Sequence, residues 1–137
     1  MKILIADDHA LLAQAISESL SRTSAFDVSI TFTLQGTLDE LSLTQYDVIM
    51  LDLRMPGMHG LASITEVIAK AGEGKVVLFA GQVDRQFLDD AIALGVKGFI
   101  PKTLPLKSLE IALRLIATGQ TFIPHAEPTA AVQSDDK

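Results

Sequence analysis

The 137-residue chain contains no cysteine and no tryptophan. The first absence excludes a disulfide framework and any zinc site built on thiolates. No window approaches the ~18 apolar residues of a membrane span. Met1-Lys2 leads into only Ile3-Leu4-Ile5-Ala6 before two acids, too short a run for a signal peptide. These absences predict a cytoplasmic protein without membrane contact. Basic residues are also few, with eleven Lys and Arg against seventeen Asp and Glu and a formal net charge of -6. They are scattered, so the chain is a poor ligand for nucleic acid by itself, because phosphate binding needs clustered cations.

What remains is ordinary globular material. Hydrophobic residues make up 48% and charged residues 20%, enough for one domain that folds without a metal or disulfide. Short continuous apolar runs predict strands at Ile3–Ala6, Asp27–Thr31, Val48–Leu51, Val76–Phe79 and Gly98–Ile100. Continuity rather than alternation implies burial on both faces, as in a parallel sheet. Helical spacing appears between them. Leu11, Leu12, Ala15, Ile16 and Leu20 form one stripe, and Leu61, Ile64, Val67 and Ile68 another. Leu88, Ala91 and Ile92 form a third, and Leu106, Leu109, Leu113 and Ile116 the last. The weakest helix is expected around Thr37–Leu43, with Thr37 as its cap and Glu40 completing a capping box. Five strands alternating with five helices predict a three-layer α/β sandwich of flavodoxin-like type, with strand order 2-1-3-4-5. In that order a ligand sits beyond the carboxyl ends of strands 1 and 3.

Three acids fall at that edge. Asp7 and Asp8 follow the first strand and Asp52 ends the third. Asp7-Asp8 alone suits the cap of the following helix. Asp52 is harder to treat as bland, because it directly follows Val48-Ile49-Met50-Leu51, where an unpaired acid is costly. Carboxylates brought this close need raised pKa values or a cation. Oxygen ligands of this kind suit Mg²⁺ (or Mn²⁺). A neutralised site admits a phosphoryl group, with Asp52 as nucleophile. Lys102, ending the fifth strand, places a point charge for a phosphoryl oxygen. His9 and His59 lack metal-ligand spacing and read as exposed loop residues.

Asp7-Asp8-His9, Asp52-Leu53-Arg54-Met55-Pro56-Gly57-Met58-His59-Gly60 and Gly95-Val96-Lys97-Gly98-Phe99-Ile100-Pro101-Lys102 together resemble the receiver domains of two-component response regulators. The resemblance spans roughly Lys2 to Pro124. The closing Gly119-Gln120-Thr121-Phe122-Ile123-Pro124 is similar to receivers of the NarL/FixJ (LuxR-type) subgroup. The resemblance implies that Asp52 is the phosphoacceptor, that Asp8 binds the metal directly and Asp7 through water, and that the Arg54 backbone carbonyl is a further ligand. It implies that Lys102 contacts the phosphoryl group and that Phe99 is the aromatic whose rotamer follows phosphorylation. The implied donor is a sensor histidine kinase. The implied assemblies are homodimers through the helix 4–strand 5–helix 5 face or through helices 1 and 5, with DNA engaged only by an output domain absent from this chain.

One position departs from the pattern. The family's Ser or Thr at the end of strand 4 is Ala80 here, which has no hydroxyl to give the phosphoryl group. Phosphorylation of Asp52 is expected to survive, whereas the relay to Phe99 is placed in doubt. The alternative is an interaction module that works without phosphorylation. A phosphatase of the haloacid-dehalogenase type also uses a nucleophilic Asp, but needs a second acid two residues on, where this chain has Arg54. The expected organisation is a receiver over residues 1–123 and a flexible tail or linker over 124–137, and the expected role is a phosphoacceptor rather than a turnover enzyme.

Overall fold

Alternate residues of the central strands divide between two cores. Leu4, Ala6, Ile49, Leu51, Val76 and Leu78 pack to one side of the sheet, while Ile3, Ile5, Val48, Met50, Val77, Phe79 and Ile100 pack to the other. This period of two on strands that are apolar throughout is what a sheet covered on both faces requires. The structure, a computed structural model, describes residues 1–124. Its elements are β1 (Lys2–Ala6), α1 (Ala10–Ser21), β2 (Asp27–Thr31), α2 (Leu34–Leu43), β3 (Val48–Leu51), α3 (Gly60–Ala71), β4 (Lys75–Ala80), α4 (Arg85–Leu94), β5 (Phe99–Pro101) and α5 (Leu106–Ala117). All strand pairs are parallel, in the order β2-β1-β3-β4-β5. Helices α2, α3 and α4 cover the first core, and α1 and α5 cover the second. The expected fold is the one observed.

Local expectations fared unevenly. Leu11 is 86% exposed and Ala15 is exposed; α1 buries Ile16 and Leu20 as expected, with Ala13 in place of those two. The cap of α2 is Thr33, whose Oγ1 accepts from the Gly36 N–H at 2.9 Å. Thr37 lies inside the helix and is buried, its hydroxyl donating to the Thr33 carbonyl at 2.8 Å. Glu40 is no capping-box partner, because with Thr33 as cap the third helical position is Gly36; Glu40 accepts instead from the Tyr46 hydroxyl across the loop. Beyond α5 the chain returns to the sheet: Gly98 and Phe122 form a parallel bridge, with Phe99 N–H donating to the Phe122 carbonyl at 2.9 Å. The expected tail lies, from residue 125 onward, outside the described residues. Among the described residues no helix is long and apolar enough to cross a membrane.

Candidate functional site

The register pairs Ala6 of β1 with Leu51 of β3, so the chain leaves both strands at one level. The Asp52 N–H still donates to the Ala6 carbonyl at 2.9 Å, and the Asp7 N–H to the Thr31 carbonyl at 3.0 Å. Lys102 leaves β5 in the same way, its N–H donating to the Ala80 carbonyl at 2.8 Å. Each functional residue is therefore the first one past a strand, with its backbone pinned by the neighbouring strand. This is the edge at which open α/β sheets bind ligands.

The side chains converge. Lys102 Nζ lies 3.1 Å from Asp7 Oδ2 and 3.6 Å from Asp52 Oδ1. Its aligned hydrogen bond goes to Asp7 Oδ1 at 3.2 Å, while Asp7 Oδ2 and Asp52 Oδ2 are buried and accept none. The Asp7 carboxylate is wholly buried and that of Asp52 is 3% exposed. Two desolvated carboxylates against one ammonium leave an uncompensated negative charge. Burial pushes the Asp52 carboxyl above the usual range. The Arg54 backbone N–H, which donates to Oδ1 at 3.3 Å, resists the rise; Asp7 adds to it and Lys102 opposes it.

A cation resolves that excess. Asp7, Asp8, His9 and Asp52 each offer one ligand atom, all within 4.8 Å of one another. The carboxylate oxygens are hard donors suited to a divalent ion; of the two buried oxygens without hydrogen bonds, such an ion would satisfy Asp52 Oδ2 directly and Asp7 Oδ2 through a water it carries. The residues present thus fit a resident metal.

Asp8 is an exposed member of the cluster, and Arg54 is exposed on the loop after β3. A cavity of about 330 Å³ opens over Asp52, walled among others by His9, Arg54, Ala80, Gln82 and Lys102. Ala80 is buried at the end of β4 and brings only a methyl group to this wall. Phe99 is half-buried at the start of β5 and packs against the first core, away from the acids. His59 stays exposed in the loop before α3 and is not among the groups brought together.

His9 is the residue that reading the sequence missed. Its ring is exposed as expected, but Nδ1 lies 3.0 Å from Lys102 Nζ. The one available signal was its place two residues after Asp7, whose Oδ1 accepts the His9 N–H at 3.0 Å and turns the chain back over the site.

Comparison with known proteins agrees with this arrangement. Residues 3–114 match the family described as response regulator receiver domain. The glycerol metabolism activator of Pseudomonas putida is 37% identical over 127 residues, covering 90% of this chain and 57% of that protein. The non-phosphorylated receiver domain of the stress response regulator RcsB from Escherichia coli superimposes with a TM-score of 0.82 at 22% identity, covering 91% of this chain and 98% of that one. A response regulator from Burkholderia pseudomallei, solved with a phosphorylated aspartic acid, a calcium ion and citrate, superimposes with a TM-score of 0.74 at 19% identity, covering 86% and 69%. These two structures share the fold. The chain spans 57% to 62% of the length of the first curated relatives it matches. A family match over most of the chain, joined to a site built at the expected sheet edge, makes this chain a member of the response regulator receiver domain family.

Proposed function

We propose that this domain is the signal receiver of a two-component system and that Asp52 accepts a phosphoryl group in a Mg²⁺-dependent (or Mn²⁺-dependent) reaction. The observation that carries the reading is the Asp52 carboxylate: buried at the end of β3, with Oδ2 unbonded, beside Asp7 and Lys102 and lining a cavity of about 330 Å³. An Asp52 oxygen attacks phosphorus. The bond from phosphorus to the phosphohistidine nitrogen of a sensor kinase, or to the acyl oxygen of a small donor, breaks with its electron pair going to the leaving group. Asp8, Asp52 and the Arg54 carbonyl would hold the metal directly, and Asp7 through water. When bound, the metal neutralises the acids and draws charge from the phosphoryl oxygens. The Lys102 ammonium meets a phosphoryl oxygen in the transition state.

Ala80 leaves these parts in place, and that weighs against a module that works without phosphorylation. Arg54, standing where a second acid would act on a separate ester, weighs against turnover catalysis. The reading extends to a cytoplasmic protein with a histidine kinase as donor, to homodimers through the α4–β5–α5 face or α1 and α5, and to a receiver over residues 1–123 that feeds an output domain of a transcriptional regulator. Incubation with phosphoramidate and Mg²⁺, read by intact mass, tests it. One phosphoryl group should load on the wild-type chain and none on Asp52→Asn; equal loading of both would overturn the assignment.

A further inference from the structure

The imidazole of His9 does no visible structural work. His9 precedes α1 at the position where Ser, Thr, Asp or Asn would cap the helix, yet its side chain makes no cap hydrogen bond. The side chain is 66% exposed. It nonetheless reaches inward, with Nδ1 at 3.0 Å from Lys102 Nζ. A lysine ammonium only donates, so Nδ1 is the acceptor and the ring proton sits on Nε2. The 3.4 Å approach of the same Nδ1 to Asp7 Oδ1 is then not an ion pair but two acceptors sharing one ammonium. Lys102 thus spends one N–H on Asp7 and a second on His9, with Asp52 just out of hydrogen-bond reach at 3.6 Å.

That arrangement bears on phosphoryl transfer. A lysine carries four carbons of flexible stem and holds one position only where partners define it. His9 lines the same cavity as Asp52, Ala80 and Lys102. Because Ala80 offers no hydroxyl to an incoming phosphoryl group, more of that group's charge falls to the ammonium, and misplacing the ammonium costs more.

We propose that His9 is a positioning residue for phosphoryl transfer, holding the Lys102 ammonium through its Nδ1 lone pair over the cavity where Asp52 is phosphorylated. This rests on the reading of Asp52 as phosphoacceptor. His9 touches neither phosphorus nor the leaving group. It acts through Lys102.

The test uses the full chain with His9→Ala and His9→Asn, the second retaining a short carbonyl acceptor near the Nδ1 position. Three quantities are read: the rate of loading from phosphoramidate with Mg²⁺, the Mg²⁺ affinity by calorimetry, and the Lys102 ammonium resonance by ¹⁵N NMR. Loss of one charge-assisted hydrogen bond should slow His9→Ala loading by about tenfold. His9→Asn should recover to within about threefold of wild type. The Lys102 resonance should broaden into solvent exchange in His9→Ala and return in His9→Asn, with Mg²⁺ affinity the same in all. Wild-type loading in His9→Ala, or failure of the Asn variant to recover, overturns the proposal. A parallel loss of Mg²⁺ affinity also overturns it and makes His9 a metal ligand. If the wild-type chain itself does not load, the reading of Asp52 fails and the positioning role falls with it; normal loading alongside an indifferent His9→Ala removes only the role of His9.

Discussion

The Lys102 N–H donates to the Ala80 carbonyl at 2.8 Å, so the residue bearing the site's ammonium and the residue lacking a hydroxyl are bonded neighbours across β4 and β5. A hydroxyl added at position 80 would therefore enter the cavity beside the ammonium. Ala80→Thr is expected to add one charge-assisted hydrogen bond to a phosphoryl group on Asp52, about 1.5–3 kcal/mol in favour of the phosphorylated arrangement. With beryllofluoride and Mg²⁺, chemical-shift changes at Phe99 and along α4 should be larger in Ala80→Thr than in wild type. Equal changes in both would mean that the switch does not pass through this position.

Asp52 contributes a pH dependence to the stability of the metal-free domain. Its carboxyl is raised in the folded state, mainly by burial, so the native chain holds that proton more tightly than the unfolded chain does. Stability from this group is then greatest at low pH and falls as pH rises from the ordinary carboxylate value through the raised native one. Asp52→Asn removes the dependence. In chelator at neutral pH it should melt higher than wild type, because the variant leaves no charge to desolvate at position 52. Mg²⁺ should narrow the gap, since a cation relieves the same charge in wild type. Thermal melts at two pH values, with and without Mg²⁺, read all of this, and a lower melting point for the variant would show that the carboxylate is stabilised rather than strained.

Lys102 is the only ammonium or guanidinium in ion-pair contact with either buried acid among the described residues. Its side chain is 14% exposed, so its charge is only lightly screened. Lys102→Met should cost about 3–5 kcal/mol at neutral pH in chelator, because Asp7 and Asp52 are left buried without a counter-charge. Acidification or added Mg²⁺ should return much of the loss. Urea denaturation under the three conditions checks it; a loss that persists in all three would point to the lysine's contact with the Phe79 ring, whose centroid lies 5.4 Å from Nζ, and not to the buried acids.

The legibility of the chain follows from which signals are redundant. Ile3–Ala6 and Val48–Leu51 are apolar at every position, so no choice of phase could misplace them, and the acids that follow inherit that certainty. Helix α1 offered Leu11 and Leu12 side by side, and spacing alone could not say which one faces the sheet. Thr33 and Thr37 both suit a cap. Helix α2 begins a turn earlier than its apolar pattern suggests, at Leu34, so Thr33 is the cap and Glu40, inside the helix, bonds the Tyr46 hydroxyl. The Asp7, Asp52 and Lys102 convergence was readable because each residue closes a strand. The contact between His9 and Lys102 spans 93 residues and depends on a side-chain direction after a turn, which no local pattern records.

Gly98 joins the sheet to the segment after α5. Its φ is +119°, a region that favours glycine, and a Cβ there would stand 1.8 Å from the Phe122 carbonyl oxygen. That oxygen accepts from Phe99 N–H, and the Phe122 N–H donates to the Lys97 carbonyl, both at 2.9 Å, while the Phe122 ring packs on the second core. Gly98→Ala must therefore both strain the backbone and expel the segment. The expected cost is about 2–4 kcal/mol by chemical denaturation. Protection from hydrogen exchange should fall at Phe99 and Phe122 and persist at Leu78, whose N–H donates to the Gly98 carbonyl on the opposite side at 3.0 Å. Phe122→Ala separates the two contributions. It empties part of the core at about 3 kcal/mol but leaves both backbone bonds able to form, so its amide protection at Phe99 should exceed that of Gly98→Ala at matched stability. Equal protection in the two variants would mean that the aromatic ring, and not the backbone bridge, holds this segment against β5.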